Sequence, residues 1–150
     1  MKFVLVALSV VLLYAMQVSG AGCPCGWVLY DGKCYYFSTE KKSWDDARQM
    51  CLEQHGDLAS INTAQQQAFI DNQLKCLNND IKFWIGANDK ANEGTFVWSD
   101  GSTMSYTNWA AGEPNDNTNE DCVEILTKTF QWNDQQCSDI NGYICRKASA

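Results

Sequence analysis

Apolar side chains fall in short, separated groups along this chain, and their spacing changes character from one end to the other. Phe3 to Met16 is an almost unbroken apolar run behind the basic Lys2. Trp27 to Phe37 carries aromatic and aliphatic residues around Asp31-Gly32, and Asp-Gly between apolar runs predicts a hairpin. Ser43 to Gln54 predicts a helix: Ser43 is a good N-cap, Asp45 and Asp46 favour the positive end of the helix dipole, and Trp44, Ala47, Cys51 and Leu52 recur near helical spacing before Gly56 as a stop. A second helix begins at Thr63, where Thr63 and Gln66 fit a capping box; Phe69, Ile70, Gln73 and Leu74 place its inner face, to about Leu77. Phe83-Trp84-Ile85, Thr95 to Trp98, Val123 to Leu126 and Gly142 to Cys145 predict short strands. Between Ser99 and Asp121 the chain is rich in Asn, Asp, Gly, Ser and Thr. A loop longer than ~15 residues without regular structure is usually functional in a compact domain. Two helices followed by strands around a large polar loop make an α+β fold.

Composition changes this picture little. The 150 residues are one domain's worth, 45% hydrophobic and 19% charged, which suits a packed core and not a disordered chain. No linker or repeat divides residues 21–150. The formal net charge of -7 argues against a nucleic-acid binder, which needs a basic face to replace counterions on phosphate. It suits a binder of cations, or an ordinary acidic secreted protein.

Residues 1–20 read as a signal peptide. The apolar run is about 14 residues, inside the signal-peptide range and short of the ~20 that span a bilayer, and Val18-Ser19-Gly20 offers small residues for cleavage. An uncleaved anchor is the alternative. Residues 21–150 are then the mature, extracellular domain, with no later segment apolar enough to span a membrane. All eight cysteines lie beyond the cut, and an even number in a secreted chain implies disulfides, although spacing alone leaves their pairing open. Zinc is disfavoured: His55, near a helix end, is the only histidine, and Cys23-Pro24-Cys25 is too tight for a C-x-x-C site.

The candidate chemistry is an accumulation of oxygen donors. Glu113, Asn115, Asp116, Asn117, Asn119, Glu120, Asp121, Asn133 and Asp134 crowd two short stretches, with Asp139 beyond and Asp89 and Glu93 upstream. Hard cations such as Ca²⁺ take six to eight oxygens at ~2.3–2.6 Å. A solvated acidic loop would have the same composition. The order of motifs separates the two readings. Trp84-Ile85-Gly86, Asn108-Trp109, Glu113-Pro114-Asn115, Glu120-Asp121-Cys122, Trp132-Asn133-Asp134 and Gly142-Tyr143-Ile144-Cys145 occur in the order and approximate spacing of C-type lectin domains. The amino half agrees, with Gly26-Trp27, Cys34-Tyr35, Trp44, Ala47, Cys51 and Leu58-Ala59-Ser60-Ile61. The resemblance covers roughly residues 23–147.

That resemblance implies a long-form domain with bridges Cys23–Cys34, Cys51–Cys145 and Cys122–Cys137. It implies a principal calcium held by Glu113, Asn115, Glu120, Asn133 and Asp134, whose side chains also bond vicinal sugar hydroxyls, and a cis peptide before Pro114. It implies an auxiliary calcium at Asp89, Glu93, Asp116 and Asp121. In similar lectins the Glu-Pro-Asn order goes with mannose-type ligands (mannose, fucose, glucose or GlcNAc), and Gln-Pro-Asp with galactose. The stretch from Asn115 to Glu120 is slightly shorter than in mannose-binding members, which implies a differently shaped rim. Cys25 and Cys76 have no partner in the family pattern, which leaves a mutual bridge, small-thiol adducts or an intersubunit bridge; the expectation is a disulfide-linked homodimer. Trp84, Trp98, Trp109 and Trp132 are expected in the core. The alternatives are a galactose-type lectin, a protein- or ice-binding relative on the same fold, and a carboxylate hydrolase, for which no acid/base pair is recognisable. The expected use is recognition of glycans on microbial or cell surfaces, in innate defence or agglutination, without enzymatic activity.

Overall fold

The computed structural model describes residues 22–77 and 80–150; the apolar run expected to be a signal peptide lies outside the described residues. The elements run β1 (Val28–Tyr30), β2 (Lys33–Lys42), α1 (Trp44–Glu53), β3 (Asp57–Leu58), α2 (Ala64–Leu74), β4 (Phe83–Asn88), β5 (Val97–Trp98), β6 (Cys122–Leu126), β7 (Gln131–Gln135) and β8 (Asn141–Ala148). The sheet order is β1-β2-β8-β4-β6-β7, with β3 on β8 and β5 on β4. All pairs are antiparallel except β4 with β8. The α+β class is therefore as expected.

Local signals account for both helices. The Ser43 hydroxyl accepts the Asp46 N–H at 3.3 Å, and the Thr63 hydroxyl accepts the Gln66 N–H at 3.1 Å. The capping box is shifted by one residue, because Gln66 Oε1 accepts the N–H of Asn62, at 2.7 Å. Gly56 marks the end of α1 for a different reason than a glycine cap. The left-handed residue is His55, at φ 60°, and the Gly56 N–H closes back onto the Cys51 carbonyl at 3.0 Å. Gly56 is needed for close approach: a Cβ there would lie 2.7 Å from the Arg146 carbonyl oxygen. Helix α2 ends at Leu74, short of the expected Leu77, and continues as turns.

The sheet differs more from the sequence reading. Strand β2 runs on to Lys42 because its ladder with β8 resumes after a bulge, at Lys42↔Asn141. Strand β7, Gln-Trp-Asn-Asp-Gln, is too polar to be read as a strand, yet every residue of it pairs with β6. Strand β3 is two residues, Asp57 and Leu58, and exists through its pairing with Arg146 and Cys145 of β8.

Side chains alternate between two apolar layers. Phe83, Ile85, Ile125, Trp132 and Ile144 pack with Ile70 and Leu74 of α2, while Trp84, Tyr143 and Cys145 pack with Trp44, Ala47 and Cys51 of α1. Trp84, Trp98 and Trp132 are buried, as expected, and Trp109 is half-buried against the same core. Gln67 is the buried polar residue of α2: its Oε1 accepts the Trp132 indole N–H at 2.8 Å. The three disulfides are Cys23–Cys34, Cys51–Cys145 and Cys122–Cys137, matching the family pattern; each contributes a few kcal/mol, on the order of 2–4. Cys25 and Cys76 are free and exposed.

Candidate functional site

The long polar stretch is pinned by β7. The Trp132 N–H donates to the Asn108 carbonyl and the Ala110 N–H to the Trp132 carbonyl, both at 2.8 Å, while the Asn108 amide donates to the Phe130 carbonyl at 2.8 Å. Trp132 thus carries the loop on its backbone, and its ring meets Trp98, Trp109 and Tyr106 edge-on at centroid distances of 5.6, 5.7 and 5.9 Å. The Cys122–Cys137 bridge closes the other end.

Glu113–Pro114 is a cis peptide. Immediately after it, both oxygens of Asp134 are engaged by the loop backbone: Oδ1 accepts the Asn115 N–H at 3.1 Å and Oδ2 the Asp116 N–H at 2.8 Å. Asp134 is fully buried, so these charge-assisted bonds are made in a low-dielectric setting. The loop is also laced by its own side chains. Asn115 Nδ2 donates to Glu113 Oε2 at 2.6 Å. The Asn117 N–H is shared between Asn115 Oδ1, at 2.9 Å, and Glu120 Oε2, at 3.0 Å. The Glu120 N–H donates to Asp116 Oδ1 at 3.0 Å. Asp116, Thr118 and Asn119 sit at φ 45°, 70° and 69°, which aspartate and asparagine tolerate better than most residues.

Four of the five expected principal ligands, Glu113, Asn115, Glu120 and Asp134, are thereby linked through side chains and backbone. Asn133 adjoins Asp134 on β7, but its amide donates inward, to Glu124 Oε1, at 3.1 Å. That contact was not foreseen, although a glutamate inside the apolar run Cys-Val-Glu-Ile-Leu is itself a signal of a buried, partnered charge.

The electrostatics are those of crowded carboxylates. Glu113 is raised above the ordinary 4.5 by desolvation first, then by a carboxyl–carboxyl hydrogen bond with Asp134 and repulsion from Asp134 and Glu120; the Asn115 amide opposes this. Glu120 is raised by desolvation first, with Asp134, Asp116 and Glu124 adding repulsion against the Asn117 N–H. Proton retention of this kind marks a place where positive charge is favoured.

Of the second expected set, Asp89, Glu93 and Asp121 come together, with one carboxylate oxygen from each within 4.8 Å of the others. Asp116 is not part of that triplet, but its charge acts on Glu93, which is raised chiefly by a carboxyl–carboxyl hydrogen bond with Asp89. Asp89 is buried; its Oδ2 accepts the Gly94 N–H at 2.8 Å, while its Oδ1 has no hydrogen-bond partner. An orphaned buried carboxylate oxygen in an oxygen-only set fits a hard divalent cation. The principal set fits one equally: it offers carboxylate and amide oxygens and no thiolate or imidazole. Each set has an exposed member, Asn115 in the first and Glu93 in the second. A cleft of about 370 Å³ at Asp80, Lys82 and residues 126–129 shares no residue with either.

A sequence profile of the Lectin C-type domain matches residues 40–147. The chain is 35% identical over 147 residues to a perlucin-like protein of Mytilus galloprovincialis, covering 92% of this chain and 94% of that one. It is 39% identical over 125 residues to human C-type lectin domain family 17, member A, covering 83% of this chain but 32% of that longer protein. The fold superposes on the cow C-type carbohydrate-recognition domain of CD23, crystallised in the presence of GlcNAc2Man3 oligosaccharide, with a TM-score of 0.78 and 38% identity, covering 86% of this chain and 98% of that one. A calcium-independent type II antifreeze protein superposes with a TM-score of 0.79 and 29% identity, covering 86% and 96%.

Proposed function

The chain belongs to the C-type lectin domain family, and from that premise we propose that it is a secreted, calcium-dependent carbohydrate-binding protein with a mannose-type preference. The family's proteins are non-enzymatic, and the domains generally bind Ca²⁺. The observation that carries the proposal is the double tie of Asp134 to the backbone directly after the cis Glu113–Pro114 bond, at 3.1 and 2.8 Å. It holds Glu113 and Asn115 beside the β7 pair Asn133-Asp134 while each Asp134 oxygen takes a single backbone N–H.

Glu113, Asn115, Glu120, Asn133 and Asp134 (side chain and backbone carbonyl) would hold the principal ion. A bound Ca²⁺ supplies coordination positions that two vicinal hydroxyls can take in place of water. The Glu113 and Glu120 carboxylates accept from those hydroxyls, and the Asn115 and Asn133 amides donate to them. The Glu-Pro-Asn order supports mannose, fucose, glucose or GlcNAc over galactose. Asp89, Glu93 and Asp121, with Asp116 close by, would hold an auxiliary ion and stiffen the loop from behind. We assign residues 1–20 to an export signal and 21–150 to the extracellular carbohydrate-recognition domain, with glycans of microbial or cell surfaces as partners and innate recognition or agglutination as the use. Among the described residues no helix is long and apolar enough to cross a membrane.

Mannose-agarose tests this. The protein is expected to be retained in Ca²⁺ and released by EDTA. Flow-through in Ca²⁺ overturns the mannose reading, and retention on galactose resin instead corrects the sugar class. The likeness to a calcium-independent antifreeze protein keeps a second reading, ice binding, which predicts passage through both resins together with thermal hysteresis.

A shallow site binds one sugar weakly, and joining two sites raises avidity by ~10²–10⁴. Cys25 and Cys76, free and exposed, supply the means. Electrophoresis without reductant is expected to show a dimer that reductant collapses; a monomer-sized band under both conditions rejects the covalent dimer.

A further inference from the structure

Glu124 stands on β6 directly across from Asn133 on β7, and none of its side chain is exposed. Its Oε1 accepts from Lys82 Nζ at 2.6 Å and from Asn133 Nδ2 at 3.1 Å, and its Oε2 accepts from Asn141 Nδ2 at 2.7 Å. A carboxylate buried this deeply is costly unless it is both paired and hydrogen-bonded. Donors from three separate parts of the sheet meet that demand: Lys82 just ahead of β4, Asn133 on β7, and Asn141 at the start of β8.

We propose that Glu124 is a positioning residue for cation and sugar binding, fixing which way the Asn133 amide is turned. This rests on the reading of Asn133 as a ligand. An ionised carboxylate has no proton to give, so the arm of the amide that faces it is the NH₂ arm. That leaves Oδ1, on the opposite arm, for the cation, and the second N–H for a sugar hydroxyl. The two arms of an amide are nearly the same size, so packing alone discriminates poorly between them. The charge of Glu124 supplies the difference: in the flipped amide two acceptor oxygens would face each other, and a donor would be turned toward the cation. The same geometry explains why position 133 carries Asn and not Asp, since Asp would set a second carboxylate against the buried one. Lys82, whose side chain is 43% exposed, balances the charge of Glu124 without itself being buried.

Calcium titration by calorimetry tests this, with the principal ion identified as the one that Asn133→Ala removes. Glu124→Gln is expected to weaken that ion about 10–100-fold, the range for losing a partner behind a metal ligand, while melting in EDTA stays close to that of the unmutated chain. The double variant Glu124→Gln with Asn133→Asp reverses donor and acceptor and is expected to recover most of the loss, because both arms of Asp are oxygen and Gln can donate to it. General damage to the fold would not be repaired by a further substitution. Should Glu124→Gln fail to fold, Asn133→Asp alone is compared with the double variant and is expected to bind calcium more weakly. Unchanged affinity in Glu124→Gln, or a double variant no better than either single one, overturns the positioning role. A flat titration of the unmutated chain overturns the calcium reading itself, and this role with it.

Discussion

Asp134→Ala is expected to abolish calcium-dependent retention on mannose-agarose. The residue does two jobs from one buried carboxylate. It receives the backbone N–H groups of Asn115 and Asp116 at 3.1 and 2.8 Å, and it is one of the proposed calcium ligands. Each hydrogen bond to a charged group contributes about 1.5–3 kcal/mol. Losing the pair removes about 3 kcal/mol or more of what orders the loop, and where the ion must restore that order itself its affinity falls ~100-fold, at ~1.4 kcal/mol per decade. The ligand oxygens are lost in addition. The disulfides and the two apolar layers lie outside the change, so the near-ultraviolet signal of the tryptophans should persist. Asp139→Ala, at an exposed position, is the control and should leave retention unchanged. Retention of Asp134→Ala at ordinary calcium would refute the site.

Acidification is expected to release the ion before it unfolds the protein. Glu113 and Glu120 are both raised above the ordinary 4.5, and Glu93 of the second set is raised as well. A cation displaces their protons, so its affinity falls as pH drops into the window above 4.5 where these groups fill. If two protons leave per ion, the fall approaches ~100-fold per pH unit within that window. The cation-free protein should behave oppositely. A carboxyl whose folded pKa is raised binds its proton more tightly folded than unfolded. Its contribution to stability is full below 4.5 and is lost as pH rises through the raised folded value. Melting in EDTA should therefore gain from these groups on mild acidification, while melting in Ca²⁺ loses the ion's support, and the two curves converge. Calcium affinity that does not fall as pH is lowered from about 7 towards 4.5 would contradict this.

Much of the candidate site was legible in advance because its residues lie in order along the chain. Glu113-Pro114-Asn115, Glu120 and Trp132-Asn133-Asp134 form a recognisable series, and the lectin resemblance joins them. The auxiliary set was legible in part. Asp89, Glu93 and Asp121 converge as expected, while Asp116 turns its carboxylate to the Glu120 N–H and acts on Glu93 by charge. The role of Glu124 was hidden inside a strand that reads as core.

What the sequence determined by itself is whatever depends on neighbours a few residues apart. The caps at Ser43 and Thr63, the Asp31-Gly32 hairpin and the helical spacing of Trp44, Ala47 and Cys51 are contacts within one turn or one loop, so the order of residues specifies them. What the tertiary structure alone decided depends on register between distant segments. Gln131–Gln135 is a strand only because β6 lies beside it. Gly56 and Gly142 are required by backbone that approaches from elsewhere, each facing a carbonyl oxygen 2.7 Å from where a Cβ would sit. Asn133 meets Glu124 because the β6–β7 register puts the pair opposite each other. The physical reason is common to all three: local dihedral and hydrogen-bond preferences are written residue by residue, but which polar group must be satisfied, and by whom, is known only once burial has removed water as an alternative partner.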